Sequence, residues 1–347
     1  MKILVTGGAG YIGIHTCIEL LNHGYQVVIV DNLINSNSVA LERLAKITNK
    51  KLSFDLAGDA DIFFHKCDTR DRNAIQKIFQ FFEIEGVFHF AGLKSIADSQ
   101  ENSLDYYSNN VTSTIILLEE MIKANVKKII FSSSAMVYGD PKKLPIDENS
   151  PTGAINNPYG QSKYIIERIL RDMYKSDPSW KISILRYFNP VGAHESGLVG
   201  EDPIGIPSNL MPYICQVASG RLDKLKIFGN NYHTVDGTGV RDYIHVVDLA
   251  RSHLAAFNLL ISVKSGISVF NIGTGRGTSV MDMVKTFEKI NGIKIPYEFI
   301  EKRKGDVAEC WMSSEYVKEF LGWKAIYGIE KMCEDSWRWQ NNNPNGY

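Results

Sequence analysis

The sequence predicts an α/β protein, a doubly wound parallel sheet followed by a smaller α/β C-terminal substrate domain. Three observations lead there. Over residues 1–190, short continuous runs of Val, Ile, Leu and Phe alternate with stretches of helical period. A glycine-rich turn at 7–13 joins the first run directly to the first helical stretch. Over 190–240 that alternation gives way to segments rich in Gly, Pro and Asn. Continuous apolar runs suit strands covered on both faces, and strand–helix alternation builds right-handed βαβ units. At roughly 150 residues per domain, 347 residues make about two domains.

In chain order, strands are expected at 2–6, 26–30, 62–65, 87–90, 129–132 and 182–185, with helices notably over 11–22, 104–125 and 158–175. The second part reads as loops around a helix at 209–219, then strands at 242–246 and 269–272 and helices at 247–260 and near 279–290. The expected domains are 1–186 and 187–347, with 241–262 packing back against the first.

Composition narrows the functional classes. Lys plus Arg number 38 and Asp plus Glu 39, a balance that speaks against a nucleic-acid binder or a polybasic membrane anchor. The 44% hydrophobic and 22% charged residues suit a folded globular chain. No run of 18 apolar residues occurs, so no membrane span is expected. Met1-Lys2 leads straight into Ile3-Leu4-Val5, a core strand rather than a cleavable signal. Five scattered cysteines, Cys17, Cys67, Cys215, Cys310 and Cys333, without C-x-x-C spacing, read as reduced thiols of a cytoplasmic protein. The eight histidines show no metal-ligand spacing; no metal site is expected, and His245 reads as structural.

Gly7, Gly10 and Gly13 form G-x-x-G-x-x-G after a strand and at the mouth of a helix. Residues without Cβ allow a tight turn and close backbone approach to a pyrophosphate, and the helix N-terminus offers N–H groups and a positive dipole end. Asp31 ends the second strand, placed to accept hydrogen bonds from an adenosine ribose, and would repel a 2′-phosphate. The reading is a Rossmann-like site for NAD rather than NADP. Asp68, after the third strand, faces the adenine or caps a helix.

Asn157-Pro158-Tyr159-Gly160-Gln161-Ser162-Lys163 carries Y-x-x-x-K, with Asn157 as helix cap and Pro158 at the first helical position. Tyr159 and Lys163 then share one helix face. A free phenol, of pKa about 10, is a poor base at neutral pH; a nearby ammonium and a positive nicotinamide stabilise the phenolate, so that Tyr159 can serve as general base and acid. Ser132-Ser133-Ser134 ends a strand where doubly wound sheets bind ligands, and Ser134 is chosen to hydrogen-bond the reacting oxygen.

With these residues in view the chain resembles the extended short-chain dehydrogenase/reductase superfamily and, within it, the UDP-glucose (UDP-galactose) 4-epimerase family. The likeness runs nearly end to end, through the opening turn, Asp31-Asn32-Leu33, Phe90-Ala91-Gly92-Leu93-Lys94, Asn109-Asn110, the three serines, Tyr159 and Lys163. More specific are Leu185-Arg186-Tyr187-Phe188-Asn189-Pro190-Val191-Gly192-Ala193, Asn209-Leu210-Met211-Pro212-Tyr213 and Gly237-Thr238-Gly239-Val240-Arg241-Asp242-Tyr243-Ile244-His245.

The resemblance implies that Gly7, Gly10, Tyr11, Ile12, Gly13, Asp31, Asn32, Asn35, Asp68, Phe90, Ala91, Gly92, Lys94, Asn109, Tyr159, Lys163 and Phe188 hold NAD. It implies Tyr159, Lys163 and Ser134 as catalytic residues. It implies Ser134, Tyr159, Asn189, Asn209, Leu210, Phe228, Arg241, Tyr243, Arg303, Asp306 and Cys310 as the UDP-sugar set. Arg241 and Arg303 suit a diphosphate, and the Phe228 ring suits uracil. Dimerisation through the helices at 104–125 and 158–175 is a further implication.

Departures from the family pattern also carry expectations. Met136 stands where Thr is common, and Ile14 replaces a small polar residue. About ten residues are inserted around 50–61, read as a surface excursion. Cys310 occupies a position that closes the sugar pocket, where narrow-specificity members carry Tyr; a small side chain there leaves room for an N-acetyl group. Two other functions compete with this reading. A nucleotide-sugar 4,6-dehydratase needs a carboxylic acid after the active Ser, where this chain has Ala135-Met136. A non-catalytic NAD-sensing module has no need of Tyr159, Lys163 and Ser134 together.

Overall fold

A computed structural model describes residues 1–303 and 306–347. The chain forms two compact units. The first comprises Met1–Gly139, Pro151–Arg186 and Ala250–Phe270; the second comprises Asp140–Ser150, Tyr187–Leu249 and Asn271–Tyr347. The segment joining the first unit is thus Ala250–Phe270 where 241–262 was expected, and Asp140–Ser150 clusters with the second.

The first unit is organised by an eight-stranded sheet in the order Gly266–Ile272, Lys181–Tyr187, Lys128–Ser134, Ile84–His89, Lys2–Thr6, Gln26–Asp31, Ile62–Lys66, Leu52–Ser53. The five pairings that run from Lys128–Ser134 to Leu52–Ser53 are parallel. Sequence order reverses on either side of Lys2–Thr6, so the chain leaves that strand where the sheet offers a crevice beyond its carboxyl ends. Ile3, Leu4, Val27–Val30 and Val87 are fully buried, as unbroken apolar runs require.

Three expectations change here. The strand expected at 87–90 is Ile84–His89, so Phe90 lies beyond it, with its ring centroid 5.0 Å from that of His253. The excursion around 50–61 is not all surface: Leu52–Ser53 pairs with Ile62 and Phe63 and extends the sheet by one short strand. The helix expected at 104–125 is Ser103–Tyr106, a wider π-helical stretch Tyr107–Thr112, and Ser113–Lys123. The Thr114 hydroxyl donates to the Asn110 carbonyl at 2.6 Å, and Ser113 bonds back to Asn109 and Asn110. Such back-bonding competes with the regular helical ladder and bends it.

The second unit is less regular. Val240–His245 is its hub, pairing antiparallel with Gly277–Ser279 and parallel with Glu309–Cys310 and Asn189–Val191. Leu225–Phe228 and Tyr297–Ile300 form a separate parallel pair. The helices Leu210–Ala218, Val280–Asn291 and Ile329–Asn342 contribute Ile214, Met283, Phe287 and Cys333 to one core. Among the described residues, no helix is long and apolar enough to cross a membrane.

Candidate active site

The opening turn assigns each glycine a separate duty. Gly7 has φ +69°, and a Cβ there would lie 2.6 Å from the Ala91 backbone nitrogen. A Cβ on Gly13 would lie 2.3 Å from the Gly7 carbonyl. The fold itself therefore demands both. Gly10 is different: a Cβ would meet only the Gly7 carbonyl, at 3.3 Å, so its bareness serves whatever approaches from outside. The helix Tyr11–Asn22 begins at Gly10 with no side-chain cap and no acid in its first turn, leaving its N-terminal donors and dipole for an anion. These features fit a dinucleotide pyrophosphate.

Asp31 is buried at the end of its strand, where its carboxylate accepts from Ala9 N at 3.1 Å, Leu33 N at 2.9 Å and the Ser36 hydroxyl at 2.8 Å. A carboxylate has about four acceptor sites, so one remains for a ribose hydroxyl. Asn35 is exposed beside it. Asp68 does not cap the following helix; Asp71 does, accepting from Ala74 N. Asp68 instead accepts from both the Nε and Nη2 of Arg70, at 3.0 and 2.7 Å, and from Asn32 Nδ2 at 3.3 Å. The Arg70 hydrogen bonds hold its carboxyl down at about 2. No Arg follows Asp31 closely in the sequence, yet the fold brings Arg70 to this edge, its charge answered by Asp68.

Tyr159, Lys163 and Ser134 converge in the first unit. Asn157 Oδ1 accepts from Gly160 N at 2.8 Å and starts the helix Pro158–Ser176 at the intended place. Ser134 begins a 3₁₀ turn, Ala135–Tyr138, and its hydroxyl accepts from Met136 N at 3.2 Å. Its neighbours face elsewhere: the Ser133 hydroxyl donates to Glu167, and the Ser132 carbonyl takes Lys163 Nζ at 2.7 Å.

The electrostatics differ from the sequence expectation. Burial pushes the Tyr159 phenol up from its ordinary value, while a hydrogen bond with Ser134 and the charge of Lys94 pull it down. Burial lowers the Lys163 ammonium to about 8. Ser134 and Lys94 are thus what pull the phenol down, while Lys163 Nζ donates to the Ser132 carbonyl near the end of the strand Lys128–Ser134.

Sequence reasoning did not anticipate a buried hydrogen-bonded chain under the loop 91–94. Thr114 spends its only hydroxyl hydrogen on the Asn110 carbonyl, so the His89 Nε2–H donates to Thr114 at 2.8 Å. His89 Nδ1 then accepts from the Thr6 hydroxyl at 2.7 Å. The ring is neutral, and burial pushes its pKa down to about 3. The Asn110 amide accepts from Leu93 N, donates to Leu93 O and donates to the Ser162 hydroxyl, which donates to the Tyr159 carbonyl. A Cβ on Gly92 would come 2.9 Å from Asn110 Oδ1. The side-chain amide of the adjacent Asn109 donates to the Asp105 carbonyl, so the pair Asn109-Asn110 splits between the helix surface and the interior.

In the second unit, Arg241 forms an ion pair with Asp306, and its Nη1 donates to the Val240 and Ala308 carbonyls. The Arg303 guanidinium lies 3.8 Å from the centroid of the Phe228 ring, covering one face of the expected uracil platform. Asn209 precedes the helix Leu210–Ala218 without capping it; its amide donates to Glu201 Oε1 at 2.9 Å. Asn189 pairs in register with Tyr243, whose phenol burial pushes up to about 12. Phe188 is buried, its N–H donating to the Ile272 carbonyl. Cys310 pairs in register with Arg241, and burial raises its thiol to about 11. His245 is structural: Nε2 lies 3.2 Å from Asp335 Oδ2 and Nδ1 accepts from Val247 N.

Comparison with known proteins adds a family to this geometry. A family model described as GDP-mannose 4,6 dehydratase matches residues 4–336. The chain is 54% identical over 347 residues to a UDP-glucose 4-epimerase of Bacillus subtilis (strain 168), covering 100% of this chain and 99% of that one. It is 50% identical over 352 residues to the Homo sapiens UDP-glucose 4-epimerase, covering 100% of this chain and 98% of that one. Among solved structures, UDP-glucose 4-epimerase from Bifidobacterium longum in complex with NAD+ and UDP superposes with a TM-score of 0.94, at 51% identity and full coverage of both chains.

Proposed function

The chain belongs to the family that the GDP-mannose 4,6 dehydratase model describes and, within it, to the UDP-glucose 4-epimerases; from that premise we propose how its residues divide the reaction. The enzyme interconverts UDP-glucose and UDP-galactose with NAD as cofactor. NAD, when bound, supplies the reversible two-electron oxidation at the sugar C4 carbon.

Tyr159 takes the proton of the 4-hydroxyl as C4 becomes a keto carbon, and returns it after the sugar has turned to present its other face. The hydrogen bond between Ser134 and the Tyr159 phenol is the observation that carries this assignment, and from there Ser134 takes the reacting oxygen. Lys94 favours the phenolate, and Lys163 ties the Tyr159 helix to the strand that ends in Ser134. Gly10, the helix N-terminus and Asp31 hold the dinucleotide, with Tyr11, Ile12, Asn32, Asn35, Asp68, Phe90 and Lys94 around it. The residues of 187–347 hold UDP: Arg241 and Arg303 meet the diphosphate, Phe228 and Leu210 the base, and Asn189 and Asn209 supply polar contacts. UDP binding is remote from C4, so the sugar can turn while the nucleotide stays anchored. Purified protein given UDP-galactose alone should form UDP-glucose with no added NADH consumed and no 4-keto-6-deoxy sugar released; release of that sugar would restore the dehydratase reading.

The substrate range extends to UDP-N-acetylglucosamine and its galacto epimer. Supporting this, Cys310 is a small side chain registered beside Arg241. Cys310→Tyr should abolish turnover of the N-acetyl pair while sparing the hexose pair, and no N-acetyl turnover by the parent would remove the proposal. The enzyme works as a homodimer through the helices at 104–125 and 158–175, which leave Leu104, Ile115 and Ile122 exposed. Sedimentation at micromolar concentration should give the dimer mass. Five free cysteines support a cytoplasmic location.

A further inference from the structure

The helix Pro158–Ser176 carries a third polar residue on the face of Tyr159 and Lys163. Glu167 lies one further helical turn on, at the same four-residue spacing, and is almost wholly buried. Its Oε1 accepts from the Ser133 hydroxyl at 2.6 Å and from Arg186 Nε at 2.9 Å, and its Oε2 accepts from Arg186 Nη2 at 2.6 Å. Arg186 Nη1 donates to the Tyr138 hydroxyl at 2.8 Å, and the guanidinium lies 4.8 Å from the centroid of that ring. The two side chains are 2% and 3% exposed, so the pair is closed off from water.

A buried ion pair is a poor device for stability alone, because apolar residues of the same volume do as well or better. What this one achieves is connection. Ser133 stands between Ser132, whose carbonyl holds Lys163, and Ser134, which bonds Tyr159. Tyr138 closes the 3₁₀ turn that Ser134 begins. Arg186 comes from the neighbouring strand Lys181–Tyr187. One bidentate fork therefore fixes the strand end, the turn after it and the catalytic helix relative to each other. Eight residues of helix at 1.5 Å rise put Glu167 about 12 Å along the axis from Tyr159, too far to touch a reacting group. Burial lowers the Lys163 ammonium.

We propose that Glu167 and Arg186, acting through Ser133 and Tyr138, are positioning residues that hold Ser134 in register with Tyr159 for proton transfer. The proposal rests on the assignment of Tyr159 and Ser134 made above. A misplacement of about 1 Å costs on the order of 100-fold in rate, so the effect belongs in kcat.

Four variants of the holoenzyme test it. Ser133→Ala cuts one link and keeps the ion pair; it should lower kcat about tenfold, with the KM for UDP-galactose, retained NAD and Tm unchanged. Glu167→Met/Arg186→Met replaces the fork by apolar bulk; it should keep Tm and UDP affinity and lose about 100-fold in kcat. Glu167→Gln leaves a buried cation unpaired and should shift the acid limb of the kcat–pH profile downward. Wild-type kcat in Ser133→Ala overturns the proposal, whether or not the double variant folds, and so does wild-type kcat in a folded double variant. Tyr159→Phe is the control: if it turns over normally, the site assignment has failed instead.

Discussion

The two units bury their polar groups for opposite reasons. In the first, regular elements form from apolar periodicity, and polar side chains appear where strands end: Asp31, His89 and Ser134. In the second, strands are short and buried carboxylates take the place of long ladders. Asp242 accepts from Thr274 N at 2.7 Å, Gly275 N at 2.9 Å and Met312 N at 3.4 Å. Asp248 accepts from Ile326 N and Tyr327 N at 2.9 and 2.8 Å. Asp335 holds His245. A ladder distributes its hydrogen bonds over many residues, whereas an anchor concentrates several on one carboxylate. Damage to the first unit should therefore cost rate, and damage to the second should cost structure and nucleotide affinity together.

The largest test of that contrast is Tyr159→Phe. Loss of a positioned acid–base should lower kcat on the order of 10³-fold, with UDP affinity by calorimetry and the melting temperature both unchanged. A parallel loss of UDP affinity would break the division. Next comes Asp242→Ala. It leaves several backbone donors buried without their carboxylate, at a cost of about 3–5 kcal/mol. Urea unfolding should shift accordingly, and UDP should be lost before NAD. Unchanged stability would mean that Asp242 is no anchor.

The smallest effect is one of pH. Folded His89 is held neutral, its pKa pushed down to about 3 by burial. Below its ordinary value of about 6.5 the unfolded chain binds a proton that the folded chain refuses. Stability should fall as pH drops from about 6.5 toward 3, with no slope from this group above 6.5. His89→Gln should flatten the change in urea midpoint between pH 7 and pH 5. An unaltered slope would show that His89 takes no part in it.

The same contrast explains what could be read in the sequence. Unbroken runs such as Gln26–Asp31 and the stretch Tyr11–Asn22 have one dominant period, and their placement followed from it. The turn at Gly7–Gly13 and the Asn157-Pro158 start of the catalytic helix are local chemistry, complete within a few residues. Leu225–Phe228, Tyr297–Ile300 and Glu309–Cys310 are too short to show a period and exist because of partners far along the chain. The π-helical stretch was hidden because 107–112 has an ordinary composition; only Ser113 and Thr114, able to bond back, hinted at it. The pairing of Arg186 with Glu167 gave no signal either, since an ion pair between side chains far apart in the sequence leaves no mark on spacing.

The short strand Leu52–Ser53 has a consequence for how molecules meet one another. Without it the sheet would end on Ile62–Lys66, a strand with Ile62, Phe63 and Phe64 buried and one edge of peptide groups turned outward. Such an edge is a template for a neighbouring chain. The segment 51–60 replaces it with an edge only two residues long, flanked by the pairs Lys50–Asp61 and Lys51–Asp59. Removing 51–60 should therefore leave turnover intact at low concentration and bring on visible aggregation as concentration rises.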